Sequence, residues 1–369
     1  MSMRPLIVDL GRDYRGGQHQ ALLLLQGLRA RGHAPELITL CNSLLSRRAK
    51  DAGIPVYGVA PGNRRIGAAF EIRRAVSSGR ADLVHANEPH ALTAAWLARA
   101  HRSVPVVASR RIALPLTSSS FSRARYRAAS RIVAVSRFVE QSVFRSGFPR
   151  EQIAVIYDGV EIPGEISASQ RASARATFSI SPNTTCIGNV AAFVPEKGHA
   201  LLFRAFAKLR TRFPECVLLL LGEGPEREHL QKLAQDLQIS DTIKFLGPAS
   251  DIGEVLAATD IFAFPSHEEP LGSALLAAMA NCLPVVAIAR GGIPEAVESE
   301  KNGLLVDSLD PDAFAAALAR LLANPAEACR FGATARETVA AHFSAEKMVN
   351  ATLHLYTGLP LHTPQPHNS

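Results

Sequence analysis

The chain has 369 residues, which is long for one domain and sufficient for two. Hydrophobic residues make up 47% and charged residues 20%, proportions that fit a globular protein and exclude a disordered or collagen-like one. Residues 1–161 contain 24 Lys and Arg against 11 Asp and Glu, whereas residues 162–369 contain 16 against 22. The asymmetry indicates two domains with different partners. The basic half either serves solubility alone or faces an anionic membrane surface, lipid diphosphate or phosphorylated glycan.

Several function classes are disfavoured by simple patterns. The arginines are not interleaved with aromatic residues, so no nucleic-acid partner is expected. The longest strongly apolar stretch, Cys216–Leu221, is far shorter than the roughly 20 residues of a membrane-spanning helix. Residues 1–11 read as a buried strand and not as a signal peptide. The five cysteines form no CxxC pair, which predicts a reducing, cytoplasmic setting without a metal cluster or disulfide framework. They are Cys41, Cys186, Cys216, Cys282 and Cys329.

The first half alternates short apolar runs with helical patterns, which predicts a parallel sheet covered by helices on both faces. The predicted strands are Leu6–Leu10, Glu36–Leu40, Pro55–Val59, Leu83–His85, Val104–Ser109 and Ile132–Val135. Helical periodicity covers His19–Arg31 and Leu92–Arg102. Arg64, Arg65, Arg73 and Arg74 lie on a further amphipathic helix of the kind that binds membrane interfaces.

The same alternation then restarts. The predicted strands are Cys186–Val190, Val217–Leu221, Ile243–Leu246, Ile261–Pro265, Val285–Ala289 and Gly303–Val306. The predicted helices are His199–Arg212, Glu226–Gln238, Gly272–Ala280, Asp312–Ala323 and Ala345–Tyr356. We therefore predict an α/β protein with two doubly wound Rossmann-like domains, residues 1–162 and 163–344. A last helix over about 345–357 is expected to pack back on the first domain, and 358–369 to form a flexible tail.

Candidate functional residues follow the carboxyl ends of strands, where open α/β sheets bind ligands. After the first strand, Gly16 and Gly17 open a helix whose N-terminus suits a phosphate, although a plain turn explains them equally well. After a later strand come two histidines, an amide and a carboxylate that can supply acid, base or hydrogen-bond donors. They are His85, Asn87, Glu88 and His90. A lone histidine is more often structural.

The second half offers a more informative set. Lys197 follows a strand and can neutralise a diphosphate as a point charge. Gly222 and Glu223 form a glycine-rich turn after the next apolar strand. Glu269 precedes a helix start at Leu271, Gly272 and Ser273, whose backbone amides suit a diphosphate, whereas the carboxylate suits sugar hydroxyls.

In this order and spacing, the motifs resemble those of the retaining GT-B glycosyltransferases of family 4 over nearly the whole chain. The resemblance lies in Gly16-Gly17 with the helix after it, "RIVAVS", "IYDGVEI", "VAAFVPEKG", "LGEGPER", "FPSHEEPLGSALLAAMANCLPVVA" and "GGIPEAV…NGLLV". It implies a GT-B architecture with an interdomain cleft, an N-terminal acceptor-binding domain and a C-terminal nucleotide-sugar-binding domain.

The implied activity is metal-independent sugar transfer with retention, from a nucleotide-sugar substrate and without a cofactor. The acceptor is expected to be a glycan or a lipid-linked molecule in envelope polysaccharide, lipopolysaccharide or glycolipid synthesis. The enzyme is expected in the cytoplasm, peripheral on the inner face of the membrane. By resemblance, Lys197 faces the diphosphate, Glu269 lies near the donor sugar, and the amides of 271–273 hold phosphate oxygens.

Three positions depart from the family pattern. Ala192 stands where the family usually has a phosphate-binding arginine, with Arg290 or Arg15 as candidate replacements. Ala277 stands where a second glutamate typically binds the ribose, and Asn87 replaces a histidine. These departures leave open a catalytically weakened binding protein on the same fold. Another GT-B activity, such as a sugar-nucleotide epimerase, is a further alternative.

Overall fold

The computed structural model describes residues 2–116, 120–247 and 251–360. The chain divides into two compact units. The first unit comprises residues Met1–Gly159 and Ala345–Ser369, and the second comprises Val160–Ser344. The sequence placed this boundary three residues later, after residue 162.

The first unit is built on a seven-stranded parallel sheet in the order β3-β2-β1-β4-β5-β6-β7. Its strands are β1 Pro5–Val8, β2 Glu36–Leu40, β3 Val56–Val59, β4 Leu83–Ala86, β5 Val106–Arg110, β6 Arg131–Ala134 and β7 Ile153–Val155. Its helices are α1 Gly16–Ala30, α2 Leu44–Asp51, α3 Arg64–Ser77, α4 Pro89–Leu97, α5 Ser120–Arg127, α6 Arg137–Arg145 and, at the end of the chain, α14 Ala345–Thr357.

The second unit repeats this plan with six parallel strands in the order β10-β9-β8-β11-β12-β13. The strands are β8 Thr185–Val190, β9 Cys216–Leu221, β10 Ile243–Leu246, β11 Ile261–Phe264, β12 Val285–Ile288 and β13 Leu304–Val306. The helices are α7 Ala168–Thr177, α8 His199–Arg210, α9 Arg227–Asp236, α10 Ile252–Ala258, α11 Ser273–Ala280, α12 Pro311–Ala323 and α13 Pro325–His342. The predicted α/β fold with two doubly wound domains is confirmed.

Both sheets are covered on both faces, which explains why their strands are apolar without alternation. In β1, for example, Leu6 and Val8 enter one core and Ile7 enters the core on the opposite face. The second core of the first unit also receives Met348, Val349 and Tyr356 of α14. Helix α14 therefore completes the first unit by covering α1, although it follows the second unit in the chain.

The structure corrects two details of the sequence prediction. Several elements were not predicted, among them strand β7 and helix α7. The tail predicted to begin at Gly358 remains packed through Leu359, which is buried in the same core as Tyr356. Residues 361–369 lie outside the described residues.

Candidate active site

In each unit, the strand order reverses between two adjacent strands, which are the first and the fourth of that unit in chain order. The reversal falls between β1 and β4 in the first unit, and between β8 and β11 in the second. Ligands of open α/β sheets bind beyond the carboxyl ends of the strands at such a point. The segments that follow these four strands contain most of the candidate residues.

In the second unit, the structure brings Lys197 and Glu269 together. Lys197 ends a short 3₁₀ turn after β8, and Glu269 lies in the loop after β11. The Lys197 Nζ donates a hydrogen bond to Glu269 Oε2 at 2.5 Å, and the two side chains are 21% and 13% exposed. The pair is therefore largely shielded from water, which strengthens the attraction between its charges.

The loop with Glu269 leads directly into α11. Gly272 is the N-cap of this helix at φ +104°, a left-handed conformation that favours glycine, and no side chain caps the helix. The first-turn N–H groups of a helix have no intrahelical partner. Leu271, Gly272 and Ser273 thus form an uncapped helix start, which can bind phosphate oxygens through N–H groups and the helix dipole.

Backbone hydrogen bonds join the loops around this pair. His267 N donates to Glu196 O at 3.0 Å, and Gly292 N donates to Glu269 O at 2.9 Å. Gly222 packs against the loop after β8, where a Cβ would lie 1.9 Å from the Ala191 carbonyl oxygen. Gly222 therefore has a packing role at this junction. Glu223 is exposed and pairs with Arg227 on the following helix.

Two positions that depart from the family pattern are alanines in this unit. Ala192 and Ala277 are both half-buried, and Arg290 is exposed beyond β12. His199, at the start of α8, is buried with neither ring nitrogen hydrogen-bonded. Burial, with a smaller contribution from Lys197, lowers the His199 pKa to about 4. His199 is therefore uncharged at pH 7.

In the first unit, a cavity of about 180 Å³ opens at the ends of β1, β4 and β5. It is lined by Asp9, Gly17, Gln18, Asn87, Glu88, Pro89, Ser109, Arg110, Arg111, Ile112 and Tyr126. Three of the predicted site residues, Gly17, Asn87 and Glu88, thus lie at one cavity. Gly16 is exposed beside Gly17 at the start of α1. Arg15 is exposed and paired with Asp13.

Asn87 is held by hydrogen bonds on both sides of its amide. Its Nδ2 donates to Asp9 Oδ2 at 2.6 Å and to the Gly17 carbonyl at 2.9 Å. Its Oδ1 accepts from Arg111 Nη1 at 2.8 Å. Arg111 in turn donates from Nε to Asp158 Oδ1 at 3.0 Å. Both N–H groups of the Asn87 amide are therefore engaged. Through these contacts Asn87 positions Asp9 and Arg111.

Glu88 and His90 occupy the start of α4. Glu88 is the N-cap, with its carboxylate accepting from His90 N and Ala91 N at 2.6 Å each. Burial raises the Glu88 pKa although these N–H groups oppose it. The His90 Nδ1 accepts from Arg65 Nε at 3.0 Å, which leaves Nε2 as the protonated nitrogen of the neutral ring. Burial and nearby arginines lower the His90 pKa.

The structure places His85, for which the sequence predicted a catalytic role, in the core and not at the cavity. Its side chain is in the core, with Nδ1 at 2.5 Å from Tyr356 Oη and Nε2 at 2.7 Å from Ser109 Oγ. Burial, with a smaller contribution from Arg111, lowers its pKa to about 3. With both nitrogens occupied, His85 connects the sheet to α14 and has no position free for a substrate.

Asp9, Arg110 and Arg111 line the cavity but were not predicted as site residues. The signal was available, because each is a polar residue at or just beyond the end of an apolar strand, the criterion applied elsewhere. Among the described residues, no group of three or more His, Cys, Asp or Glu is arranged to hold a metal ion. Within the same ranges, every helix is too short or too polar to cross a bilayer.

Comparisons with known proteins cover both units. Residues 14–162 match the family model described as Glycosyltransferase Family 4, and residues 170–338 match Glycosyl transferases group 1. The solved structure of Alr3699/HepE from Anabaena, in complex with UDP and glucose, superposes with a TM-score of 0.84 at 23% identity. It covers 97% of this chain and 100% of that protein, a likeness that shows the GT-B fold.

Curated relatives are more similar in sequence. The D-inositol 3-phosphate glycosyltransferase of Saccharomonospora viridis is 30% identical over 75% of this chain and 70% of its own length. The lipopolysaccharide core biosynthesis glycosyltransferase LpsE of Rhizobium meliloti is 34% identical over 50% of this chain. The chain spans about half the length of several such relatives, 54% for LpsE. With both family models matched in the order of the two units, the chain belongs to the group 1 glycosyltransferases of family 4.

Proposed function

We propose that the protein transfers a sugar from a nucleotide-sugar to an acceptor, with retention at the anomeric carbon and without a bound metal. The observation that carries the proposal is the group formed by Lys197, Glu269 and the uncapped start of α11 at the strand-order reversal of the second unit. A cation and free helix amides suit a diphosphate, and a carboxylate suits sugar hydroxyls.

The residues then act in distinct ways. Lys197 and the amides of Leu271, Gly272 and Ser273 bind the diphosphate and stabilise its charge as the bond to the sugar breaks. Glu269 accepts hydrogen bonds from the donor sugar. Gly222, Glu223, Gly16 and Gly17 remain proposed donor contacts on the resemblance alone. In the first unit, Asn87 and Glu88 line the cavity and fix its shape through their hydrogen bonds. Neutral His90 donates a hydrogen bond from its Nε2–H to a substrate oxygen.

Names of relatives support a role in envelope or glycolipid synthesis. They include LpsE and a GDP-mannose-dependent phosphatidylinositol monomannoside mannosyltransferase of Mycolicibacterium smegmatis. The HepE complexes with UDP and UDP-glucose support a nucleotide-sugar donor. We therefore propose a glycan or lipid-linked acceptor bound by the first unit, and a cytoplasmic location on the inner face of a membrane.

The proposed contact with a membrane is made by helix α3. Ile66 and Phe70 lie one turn apart and are each 68% exposed, and arginines flank them at both ends of the helix. Exposed apolar and basic side chains on one helix favour an anionic membrane interface. In co-sedimentation with vesicles that contain an anionic lipid, Ile66→Ser with Phe70→Ser should abolish binding. Ile252→Ser, at an exposed apolar position of the second unit, should retain it.

The donor test is thermal stabilisation by a panel of nucleotides and nucleotide-sugars. A ligand at a hundredfold excess over its Kd adds about 2.7 kcal/mol of stability, which a melting curve resolves. Stabilisation by one donor should be followed by its slow hydrolysis, unaffected by EDTA, with the α or β configuration of the released sugar read by NMR. The absence of any stabilisation would instead favour a binding protein on this fold, to which Ala192 and Ala277 already point.

A further inference from the structure

The cavity of the first unit contains a buried arginine without a counter-charge. Arg110 is 5% exposed and lines the cavity. Its guanidinium contacts Tyr126 Oη at 3.4 Å and the Leu114 carbonyl, both neutral, and its Nε has no hydrogen-bond partner. Buried charges are costly unless they are paired. Among the described residues, no carboxylate lies within ion-pair distance of Arg110.

Three more arginines bind a lining residue, or residues next to the lining in sequence, and they too are held only by neutral groups. Arg64 donates to the Leu10 carbonyl at 2.9 Å, and Arg65 donates to His90 Nδ1 at 3.0 Å. Arg125 donates to the carbonyl of Pro89, a lining residue, at 3.1 Å. We call Arg64, Arg65, Arg110 and Arg125 the arginine cluster. Within the described ranges, none of the four forms an ion pair.

The acidic residues beside the cluster are engaged elsewhere. Asp9 accepts from Gly11 N, Gln18 Nε2 and Asn87 Nδ2. The Glu88 carboxylate accepts from three backbone N–H groups, including Leu10 N. Asp158 is the partner of Arg111. The lining carboxylates, Asp9 and Glu88, are thus bound to other groups, and Arg111 is paired with Asp158. Arg110 is left as the lining cation without an acidic partner among the described residues.

We propose that this cavity binds the acceptor through an anionic group, a phosphate or a carboxylate on its sugar, with Arg110 as the innermost ligand. Planar guanidinium groups bind both kinds of oxyanion in a bidentate manner. The cavity is smaller than the roughly 300–1,000 Å³ of drug-sized pockets, so it accommodates a single charged sugar or head group. The inference rests on the proposed function, because it names the acceptor class of the same enzyme.

The test measures anion binding directly, by calorimetry and thermal shift at constant ionic strength. The probes are inorganic phosphate, glucose 6-phosphate, glucuronate and uncharged glucose. Phosphate and at least one charged sugar should bind the wild-type protein, whereas glucose should bind more weakly. Arg110→Gln and the half-exposed Arg125→Gln should each weaken anion binding by about tenfold or more, because each removes a charge-assisted hydrogen bond.

Arg145→Gln, at an exposed arginine of α6, is the matched control and should bind as the wild type does. Failure of every anionic probe to bind the wild-type protein would overturn the proposal. It would also be overturned if folded Arg110→Gln and Arg125→Gln bound the anions as tightly as the wild type does. Displacement of phosphate by UDP would assign the anion to the donor and overturn the acceptor assignment. UDP binding without anion binding would leave the transferase proposal standing and reject this one. Anion binding without binding of any nucleotide or nucleotide-sugar would count against the transferase proposal, and would overturn the assignment of the anion to an acceptor with it.

Discussion

Lys197 and Glu269 follow strands that are neighbours in the second sheet, and their side chains form a hydrogen-bonded ion pair of 2.5 Å. A bound diphosphate would compete with Glu269 for the lysine, because both offer negatively charged oxygen. Glu269 thus has one role in the free protein and another in the proposed complex. It holds Lys197 in the absence of ligand, and in the proposed complex it contacts the donor sugar.

Substitutions at the two residues should therefore have opposite effects on diphosphate binding. Lys197→Gln should weaken UDP binding by about tenfold or more, since a charge-assisted contact contributes roughly 1.5–3 kcal/mol. Glu269→Gln should bind UDP at least as tightly as the wild type but lose sugar transfer or donor hydrolysis. Calorimetry with UDP measures the first effect and product formation the second. Lys208→Gln, at an exposed lysine paired with Asp312, should change neither.

The position occupied by Ala277 offers a gain-of-binding experiment. Ala277 is half-buried on α11, where the family resemblance places a ribose-binding glutamate. Ala277→Glu should tighten UDP binding by about tenfold, because a carboxylate accepts hydrogen bonds from ribose hydroxyls. The 2′,3′-dideoxy analogue of UDP lacks both hydroxyls and should show no such gain. An equal gain for both ligands would disprove a ribose contact at this position.

Much of the fold could be predicted because buried parallel strands are short apolar runs between helices. Strands β2 and β10 were predicted at their observed bounds. Strand β7 is apolar but was missed because its three residues are fewer than the roughly 4–8 of a recognisable strand run. Helix α7 was hidden in a Ser-rich segment, although Ser167 and Gln170 form a capping box at its start.

The site was harder to predict, because its geometry depends on contacts between distant residues. Both faces of a parallel sheet are buried, so no alternation in β4 indicates which way His85 points. Its partner Tyr356 lies 271 residues later in the chain. Likewise, Arg110 ends β5 and Arg111 follows it, but only the structure shows that Arg111 pairs with Asp158. Arg110 has no carboxylate partner among the described residues.

The buried histidine should make the first unit sensitive to acid. The His85 pKa is lowered to about 3, so between the ordinary His pKa near 6.5 and that value only the unfolded chain binds the proton. Stability is lost as the pH falls through this window, by up to about 1.4 kcal/mol per pH unit. His85→Gln should reduce the drop in melting temperature between pH 7 and pH 5. His354→Gln, at an exposed histidine, should leave the drop unchanged.

The Arg111–Asp158 pair should be the most costly ion pair of the first unit to break. Its side chains are 21% and 10% exposed, and loss of one partner from a buried pair costs about 3 kcal/mol or more. Arg111→Met should lower the free energy of unfolding by that order, and adding Asp158→Asn should restore part of it by removing the unpaired charge. Arg150→Gln breaks an exposed pair with Glu140 and should cost less than about 1 kcal/mol.

The pH dependence of this variant separates charge from packing. Burial raises the Asp158 pKa, and Arg111 opposes that effect. Without Arg111 the pKa rises further, so the folded protein retains the proton to higher pH than the unfolded chain does. The destabilisation caused by the unpaired Asp158 charge is then absent below the pKa of about 3.9 in the unfolded chain. It grows as the pH rises towards the pKa of Asp158 in the folded variant. The stability gap between wild type and Arg111→Met should therefore narrow from pH 7 to pH 5 in urea unfolding. A gap that is the same at both pH values would mean that Arg111 stabilises the fold through packing and not by balancing the charge of Asp158.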